Sequence, residues 1–459
     1  MNISPARIAA FEILAKVAAE KAFSSVLLPI YEEKLEPKDR ALCHEITLGT
    51  LRRQIYLDKI VEKLTNGKKL DSVVKVILRI ALYQLIYLDK VPAHAAINDA
   101  VNLVRKAKKT SAKGFVNAVL RRFTREKIEL NYADAIERLS VETSHPRWLI
   151  EKWSAQFGFD ETEKLVKANN ETPPTVFRLT NKSDANTIGI LKKLGLEIVE
   201  SEIAGNAWKV ADSNQMLRLY ADEGKIYFQD EGSQLVAESV NLKDGENLLD
   251  VCAAPGSKLT QVAGSRLQVL GSRLQVSGSR LQVADFEGEI RRLIVGGDFY
   301  EHRTKVLQAN CRRQAADKIS LLRYDAERDL PFAAEVFDVV LLDAPCSGTG
   351  TIRHNPELRY FLREADFAEL AAKQRRILNN AAQVLKANGR LIYSTCSLEP
   401  EENEAVAERF LKENENFVKV QPKVPERFLT AENYARTFPP TDQTDGFFIA
   451  EFEKKPLFS

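Results

Sequence analysis

The sequence predicts a multidomain chain, with an all-α bundle first, a small α+β segment next and an α/β domain on a doubly wound parallel sheet last. Three observations carry that expectation. Apolar residues recur at helical spacing through residues 1–140, strands and helices mix through 141–230, and short apolar runs alternate with helical stretches through 231–459. A chain of 459 residues also exceeds one ordinary core, since a domain holds roughly 100–200 residues.

The bundle opens at Ser4-Pro5, an N-cap and first-turn pair, after which Ile8, Phe11, Leu14 and Val17 recur every third residue on one face. Further amphipathic helices are expected around Asp39–Leu51, Ile55–Leu64, Ser72–Leu88, Ala93–Lys106 and Gly114–Phe123. In the middle segment Pro173-Pro174 precede a strand Thr175–Leu179, a helix Ala185–Leu194 and strands near Glu197 and Trp208. Beyond residue 231, apolar strands are expected at Asn247–Val251, Leu293–Gly297, Ile319–Tyr324, Phe337–Leu342 and Gly389–Ser394. Helices such as Glu301–Arg313 and Glu364–Leu385 fall between several of them, as a parallel sheet covered by helices requires. Two late strands, Phe417–Gln421 and Gly446–Glu453, are expected to form an antiparallel edge.

Composition narrows the function. No apolar run approaches the roughly 20 residues that cross a bilayer, and the N-terminus carries no signal-peptide pattern, so a cytoplasmic, non-membrane protein is expected. Five scattered cysteines lack C-x-x-C spacing, which argues against disulfides and a bound metal. The net charge of +2 is uneven: residues 1–140 hold 25 Lys/Arg against 16 Asp/Glu, a balance of +9, and the remainder carries −7. Nine basic residues lie between Arg105 and Lys127 beside the single acid Glu126. Such a run suits a phosphate backbone, because neutralised phosphates release condensed counterions. A solvated helix face is the bland alternative.

Ligands of an open parallel sheet lie beyond the carboxyl ends of its strands, so residues there bear the chemistry. After the first strand stands Asp250-Val251-Cys252-Ala253-Ala254-Pro255-Gly256-Ser257-Lys258, whose small residues let a ligand approach the backbone as a helix begins. It is not G-x-G-x-x-G, which disfavours a dinucleotide. Asp298 ends the second strand, placed to accept hydrogen bonds from both ribose hydroxyls of an adenosine, and Asp325 ends the third, where it can accept from the adenine amino group. Each acid alone would more often be a turn or cap residue, but three at successive strand ends are hard to explain that way. The fourth strand runs into Asp343-Ala344-Pro345-Cys346-Ser347-Gly348-Thr349-Gly350 and the fifth into Ser394-Thr395-Cys396-Ser397. Cys43, Cys252 and Cys311 read as small hydrophobes. Cys346 and Cys396, at neighbouring strand ends, read as reactive.

Several of these strings carry a family resemblance. Lys38-Asp39-Arg40-Ala41, Ala81-Leu82-Tyr83-Gln84-Leu85, Val91 to Asn98 and Phe115 to Arg121 resemble the NusB-type RNA-binding domain. Arg178-Leu179-Thr180-Asn181 is similar to a short Arg-x-x-Asn stretch that precedes the catalytic domain of RNA cytosine methyltransferases. With the two cysteine strings, and Thr444-Asp445-Gly446-Phe447-Phe448 at the last strand, nearly the whole chain resembles the 16S ribosomal RNA cytosine-5 methyltransferase B (RsmB/Sun) family. The resemblance implies a NusB-like bundle at 1–140, a small α+β linker domain at 141–230 and a Rossmann-like S-adenosylmethionine-dependent domain at 231–459. It implies 16S ribosomal RNA as the partner and S-adenosylmethionine as the cofactor of a monomer. It makes Cys396 the nucleophile and Cys346 the aid to product release, with Asp343 touching both cytosine and cofactor. Cys252, Ala253, Ala254, Pro255, Gly256, Ser257, Lys258, Asp298 and Asp325 complete the cofactor pocket.

Two departures stand out. The family usually has Gly-Gly-Lys where this chain has Gly256-Ser257-Lys258, and a serine is penalised if that position needs a positive φ. A heptad beginning Gly264-Ser265-Arg266-Leu267-Gln268-Val269-Leu270 then repeats within a 263–283 insertion, which lengthens the Asp250–Asp298 separation from 27 to 48 residues. Its Gly-Ser starts and polar/apolar alternation favour turns or short extended pieces over a coiled coil. Two rival functions remain open. A binding module would need neither thiol, and a DNA cytosine methyltransferase would assign the nucleophile to Cys346.

Overall fold

The computed structural model describes residues 3–211, 215–264, 274–277, 280–283 and 292–456. Two compact units divide the chain, Met1–Thr172 with Ile352–Glu364, and Pro173–Thr351 with Ala365–Ser459. None of the described helices is long and apolar enough to cross a membrane.

Among the described residues up to Thr172 the first unit runs through ten α-helices: α1 Pro5–Glu20, α2 Ser24–Glu32, α3 Pro37–Arg52, α4 Gln54–Leu64, α5 Ser72–Tyr87, α6 Ala93–Lys106, α7 Lys113–Phe123, α8 Ala135–Thr143, α9 Arg147–Phe157 and α10 Phe159–Ala168; a short helix Leu358–Phe361 joins them from the later segment. Of the expected α1 stripe, Phe11, Leu14 and Val17 are buried and Ile8 partly so; Ala6, Ala10 and Ile13 are buried as well, so α1 is enclosed on more than one face. Ser4 does not cap this helix with its side chain; its carbonyl accepts from Arg7 N at 3.0 Å and Ile8 N at 3.2 Å. Asp71 is a true cap, taking Val73 N at 2.9 Å and Val74 N at 3.4 Å at the start of α5.

Helices α8–α10 group with this bundle, whereas the sequence reading assigns residues 141–230, and with them α9 and α10, to the linker. Polar anchoring explains the difference. Buried Arg359, from the 352–364 segment, donates to Thr143 O at 3.2 Å, Asn169 O at 3.2 Å and Asn170 Oδ1 at 2.9 Å. Glu357 accepts from Ser24 N at 2.5 Å and Ser24 Oγ at 3.0 Å, and the Tyr360 hydroxyl donates to Leu51 O at 2.6 Å.

The second unit contains two main sheets. The smaller is antiparallel, in order β2-β3-β1-β4, with β1 Thr175–Leu179, β2 Ile198–Glu200, β3 Ala207–Val210 and β4 Ile226–Phe228. The larger comprises β5 Leu248–Asp250, β8 Ile294–Asp298, β9 Ser320–Arg323, β10 Phe337–Asp343, β11 Leu385–Thr395, β12 Phe417–Val420, β13 Ala435–Arg436 and β14 Phe448–Lys454. Its order is β12-β14-β11-β10-β5-β8-β9, and β9, β8, β5, β10 and β11 are parallel neighbours. β14 runs antiparallel to β11 and β12 pairs antiparallel with β14, so the two late strands form the expected antiparallel edge, with β14 inserted between β11 and β12. Leu248, Leu249, Val339, Val340, Leu341 and Leu342 are wholly buried, as strands covered on both faces must be.

Between β5 and β8 the insertion forms an antiparallel pair, β6 Leu274–Ser277 and β7 Arg280–Val283, which agrees with short extended pieces. Residues 265–273 and 278–279, which include the later Gly-Ser starts where turns are expected, lie outside the described residues. Leu281 N donates to Pro331 O at 2.9 Å and Ala333 N donates to Leu281 O at 3.0 Å, which fastens β7 to the loop leading into β10.

Candidate active site

The sheet's chain reversal falls between β5 and β10, where Asp250 registers against Leu341 and the strands open toward ligand. A cavity of 280 Å³ lies there, lined by Cys252, Ala254, Asp298, Asp325, Asp343, Cys346 and Cys396 among others. Ala253, Pro255, Gly256, Ser257 and Lys258 do not line it; they shape the loop behind it. Gly256 has φ +103° and a Cβ there would stand 2.7 Å from Leu307 Cδ1, so glycine is required. Ser257 instead begins the helix Ser257–Gly264 and is not among the positive-φ residues. The serine therefore brings no backbone strain. Arg303 Nη2 to Ala254 O (2.7 Å) and Asn310 Nδ2 to Pro255 O (2.8 Å) hold the loop from the helix Glu301–Arg313.

Arg178 secures the same loop from the small sheet. Its guanidinium, buried and without a carboxylate partner among the described residues, donates to Gln229 Oε1, Thr260 Oγ1 and Gln314 Oε1, each at 2.8 Å, and to Ser257 O at 3.1 Å. Burial lowers its pKa to about 10. The Arg-x-x-Asn stretch is thus a structural stitch at its arginine.

Charge within the site is finely divided. Lys258 Nζ donates to Asp343 Oδ2 at 2.7 Å, and Ser394 Oγ to Asp343 Oδ1 at 2.8 Å. Burial works against the lysine's charge, yet Asp343, Cys396 and Asp250 raise its pKa overall. Asp250 is enclosed, its Oδ1 has no hydrogen-bond partner, and burial with the neighbouring Asp343 charge pushes its pKa up to about 8. Asp298 Oδ1 accepts from Tyr300 N at 3.2 Å, and its Oδ2 lies 3.4 Å from Arg303 Nη2. Asp298 and Asp325 present carboxylate acceptors to a cavity that Phe299, Tyr300 and Ile377 also wall. That set fits an adenosine, whose ribose diol and amino group donate and whose base is flat and weakly polar.

The two cysteines meet. Cys346 Sγ and Cys396 Sγ are 3.3 Å apart, well beyond a disulfide bond of about 2.05 Å, so both are free thiols in contact. The Cys396 contact, burial and the charge of Glu402 together raise the Cys346 pKa well above its ordinary value. Cys252 also reaches the cavity, but burial and the Asp250 and Asp298 carboxylates push its thiol up; burial likewise raises Cys43 to about 11 and Cys311 to about 12. Glu402, which sequence reasoning passed over, accepts from Ser347 N and Gln374 Nε2, each at 2.9 Å, and from Ser397 Oγ at 2.5 Å. The loop after Cys346 is closed further by Gly350 N to Cys396 O at 2.9 Å, and a Cβ on Gly350 would stand 2.1 Å from Gly446 O.

In the helical unit the basic run spans the end of α6 to just past α7. Much of it is already paired: Lys106 with Glu12 (3.5 Å), Lys109 with Asp71 (2.7 Å), Arg122 with Glu126 (2.8 Å) and Lys127 with Glu129 (3.0 Å). Lys108, Lys113 and Arg125 make no ion pair among the described residues.

Comparison with known proteins gives a consistent picture. Residues 282–453 match the family described as 16S rRNA methyltransferase RsmB/F, residues 4–125 the NusB family, and residues 145–215 the ferredoxin-like domain of RsmF/B-like methyltransferases. The probable ribosomal RNA small subunit methyltransferase B of Bacillus subtilis is 32% identical, over 99% of this chain and 100% of that protein. The crystal structure of PH0851 superposes with a TM-score of 0.81 at 28% identity, covering 99% of this chain and 100% of the other. NSun6 from Pyrococcus horikoshii, solved with SFG, shares the fold with a TM-score of 0.56 at 19% identity, over 68% of this chain and 99% of that one.

Proposed function

The chain belongs to the 16S ribosomal RNA methyltransferase RsmB/F family, and from that premise we propose that it methylates carbon 5 of a cytosine in 16S ribosomal RNA through a covalent cysteine adduct. The observation that carries the reading is the contact of two free thiols, 3.3 Å apart, in a cavity shared with Asp298, Asp325 and Asp343. S-adenosylmethionine, when bound, supplies an electrophilic methyl group. Asp298 and Asp325 would hold its adenosine, with Asp343 at the border between cofactor and base.

Carbon 5 of cytosine is a weak nucleophile until a thiolate adds to carbon 6. In the proposed sequence the Cys396 sulfur forms the S–C6 bond and the C5–C6 π pair becomes available at C5, which takes the methyl group. Asp343, fixed by Lys258 and Ser394, stabilises the ring on its N3 side. Loss of the C5 proton to a base then restores the C5–C6 double bond and breaks the S–C6 bond. Cys346, kept as a thiol, lies close enough to return a proton to the departing sulfur. The cytosine must leave its stack to reach this cavity, so unpaired or looped RNA is the better substrate.

The test uses single alanine variants with RNA and S-adenosylmethionine. Cys396→Ala is expected to abolish methylation and form no adduct. Cys346→Ala is expected to attack, methylate and release slowly, accumulating a protein–RNA complex that survives a denaturing gel. The opposite pattern, with the complex trapped by Cys396→Ala alone, would give the nucleophile's role to Cys346, as in DNA cytosine chemistry.

A further inference from the structure

We infer that Glu402 is a positioning residue for the two-cysteine reaction: its buried carboxylate binds the residue after Cys346 and the residue after Cys396, and so holds nucleophile and proton donor in one frame. The inference rests on the cysteine-adduct reading above.

Four donors converge on this side chain. Oε1 accepts from Ser347 N and from Gln374 Nε2, each at 2.9 Å; Oε2 accepts from Ser397 Oγ at 2.5 Å and from Ser347 Oγ. Ser347 and Ser397 also touch each other, Oγ to Oγ, at 3.1 Å. Gln374 extends the frame to the other side of Cys346 by donating to Pro345 O at 3.0 Å, and Tyr393 joins it through its hydroxyl to Gln374 Oε1 at 3.2 Å and to Glu402 O at 2.5 Å. Glu402 is wholly buried, and it forms no ion pair among the described residues.

A buried carboxylate without a cation is costly, and only charge-assisted hydrogen bonds to several donors offset that cost. Neutral packing would fill the same space more cheaply. What an apolar residue could not do is receive donors from two separate strand-end turns at once. A glutamine would keep one acceptor oxygen and turn its N–H₂ group toward the donors that the other oxygen now receives, so the four-donor frame would be broken on one side. The same negative charge contributes to keeping Cys346 protonated, the form that a proton donor needs. Sulfur placement matters because a misplacement of about 1 Å can cost roughly 100-fold in rate.

The experiment measures adduct formation, adduct release and turnover in the full chain, with an RNA oligonucleotide containing the target cytosine and S-adenosylmethionine. Glu402→Gln is expected to lower kcat by about 100-fold, while KM for RNA and the affinity for S-adenosylmethionine stay within about twofold of the parent. Ser397→Ala should slow adduct formation, whereas Ser347→Ala should form the adduct and release it slowly, each by roughly tenfold for one lost hydrogen bond. In the Glu402→Gln background neither serine change should add more than about twofold, because all three act through one frame. A purely structural role would lower cofactor affinity and every step together, and that outcome would overturn the inference. Serine variants that leave the balance between formation and release untouched would overturn it too, even if Glu402→Gln fails to fold. A parent protein that forms no Cys396-dependent adduct would instead remove the reading beneath it, whereas an adduct in the parent with an unchanged Glu402→Gln sinks this inference alone.

Discussion

Asp250 is a carboxyl shielded from water with one oxygen unpartnered, facing Asp343, Lys258 and Asp298 at the reversal of the sheet. In the unfolded chain it would lose its proton near the ordinary value of about 3.9. In the fold it keeps the proton until about 8, chiefly because burial penalises the charge. Between those two values the native state binds more protons than the unfolded one, so this group's contribution to stability falls as pH rises and levels off above the higher value. Asp250→Asn removes the titration. Thermal unfolding of variant and parent from pH 4 to pH 9 should therefore show the variant gaining on the parent up to about pH 8. A difference that stays flat with pH would mean that Lys258 holds Asp250 ionised in the fold. The strand-end acids were legible in the sequence because the topology of a parallel sheet dictates where its ligands lie. Glu402 was not, since Glu399-Pro400-Glu401-Glu402 reads as a solvated acidic run and only tertiary packing reveals that Glu402 is enclosed.

Elements with one uninterrupted period were the readable ones. Ala93–Lys106 forms with the expected bounds because its apolar stripe, from Ala96 and Ile97 through Ala100 and Val101 to Leu103 and Val104, runs unbroken along the helix. Helices α9 and α10 were hidden because Gly158 alone separates them, with φ +82°, and the break shifts the phase of the stripe. The order of the two edge strands, with β14 between β11 and β12, was unreadable for a different reason: alternation specifies a strand and its faces, not its neighbour. The basic run of α6 and α7 was legible as charge but not as pairing. Ion pairs with Glu12, Asp71, Glu126 and Glu129 engage four of the nine, Arg105 is also engaged and Arg121 donates to Asn117 Oδ1 at 3.2 Å, which leaves Lys108, Lys113 and Arg125 as the cations best able to meet phosphate. Reversing those three to Glu should weaken RNA binding and reduce the slope of log affinity against log salt by about two to three. S-adenosylmethionine affinity should not change. An unaltered salt slope, measured by fluorescence anisotropy, would take RNA binding away from this run.

Neither compact unit is a continuous stretch of chain, since Ile352–Glu364 belongs with the helices although the residues on both sides belong to the sheet unit. Nothing in its composition marks that exchange; the buried bonds of Glu357, Arg359 and Tyr360 make it. The heptad insertion poses the converse case, conspicuous in sequence and modest in structure. Its strand β7 bonds to Pro331 and Ala333, ahead of Phe337 where β10 starts, whereas the cavity lies past Asp343 where β10 ends. Deleting residues 263–283 joins Val262 to Ala284 and rebuilds the Gln-Val-Ala sequence that the native chain has at Gln261-Val262-Ala263, so the end of the preceding helix keeps its buried residues. Among the described residues the deletion removes two main-chain hydrogen bonds to the rest of the fold, each contributing about 1 kcal/mol net, and the packing of Leu281 against the sheet core, so Tm falls. Methyl transfer should remain within about twofold of the parent, since no cavity residue or loop anchor is touched. A deletion variant that melts cooperatively yet loses S-adenosylmethionine binding or turnover by more than about tenfold would show that the repeat reaches through the sheet to the catalytic end.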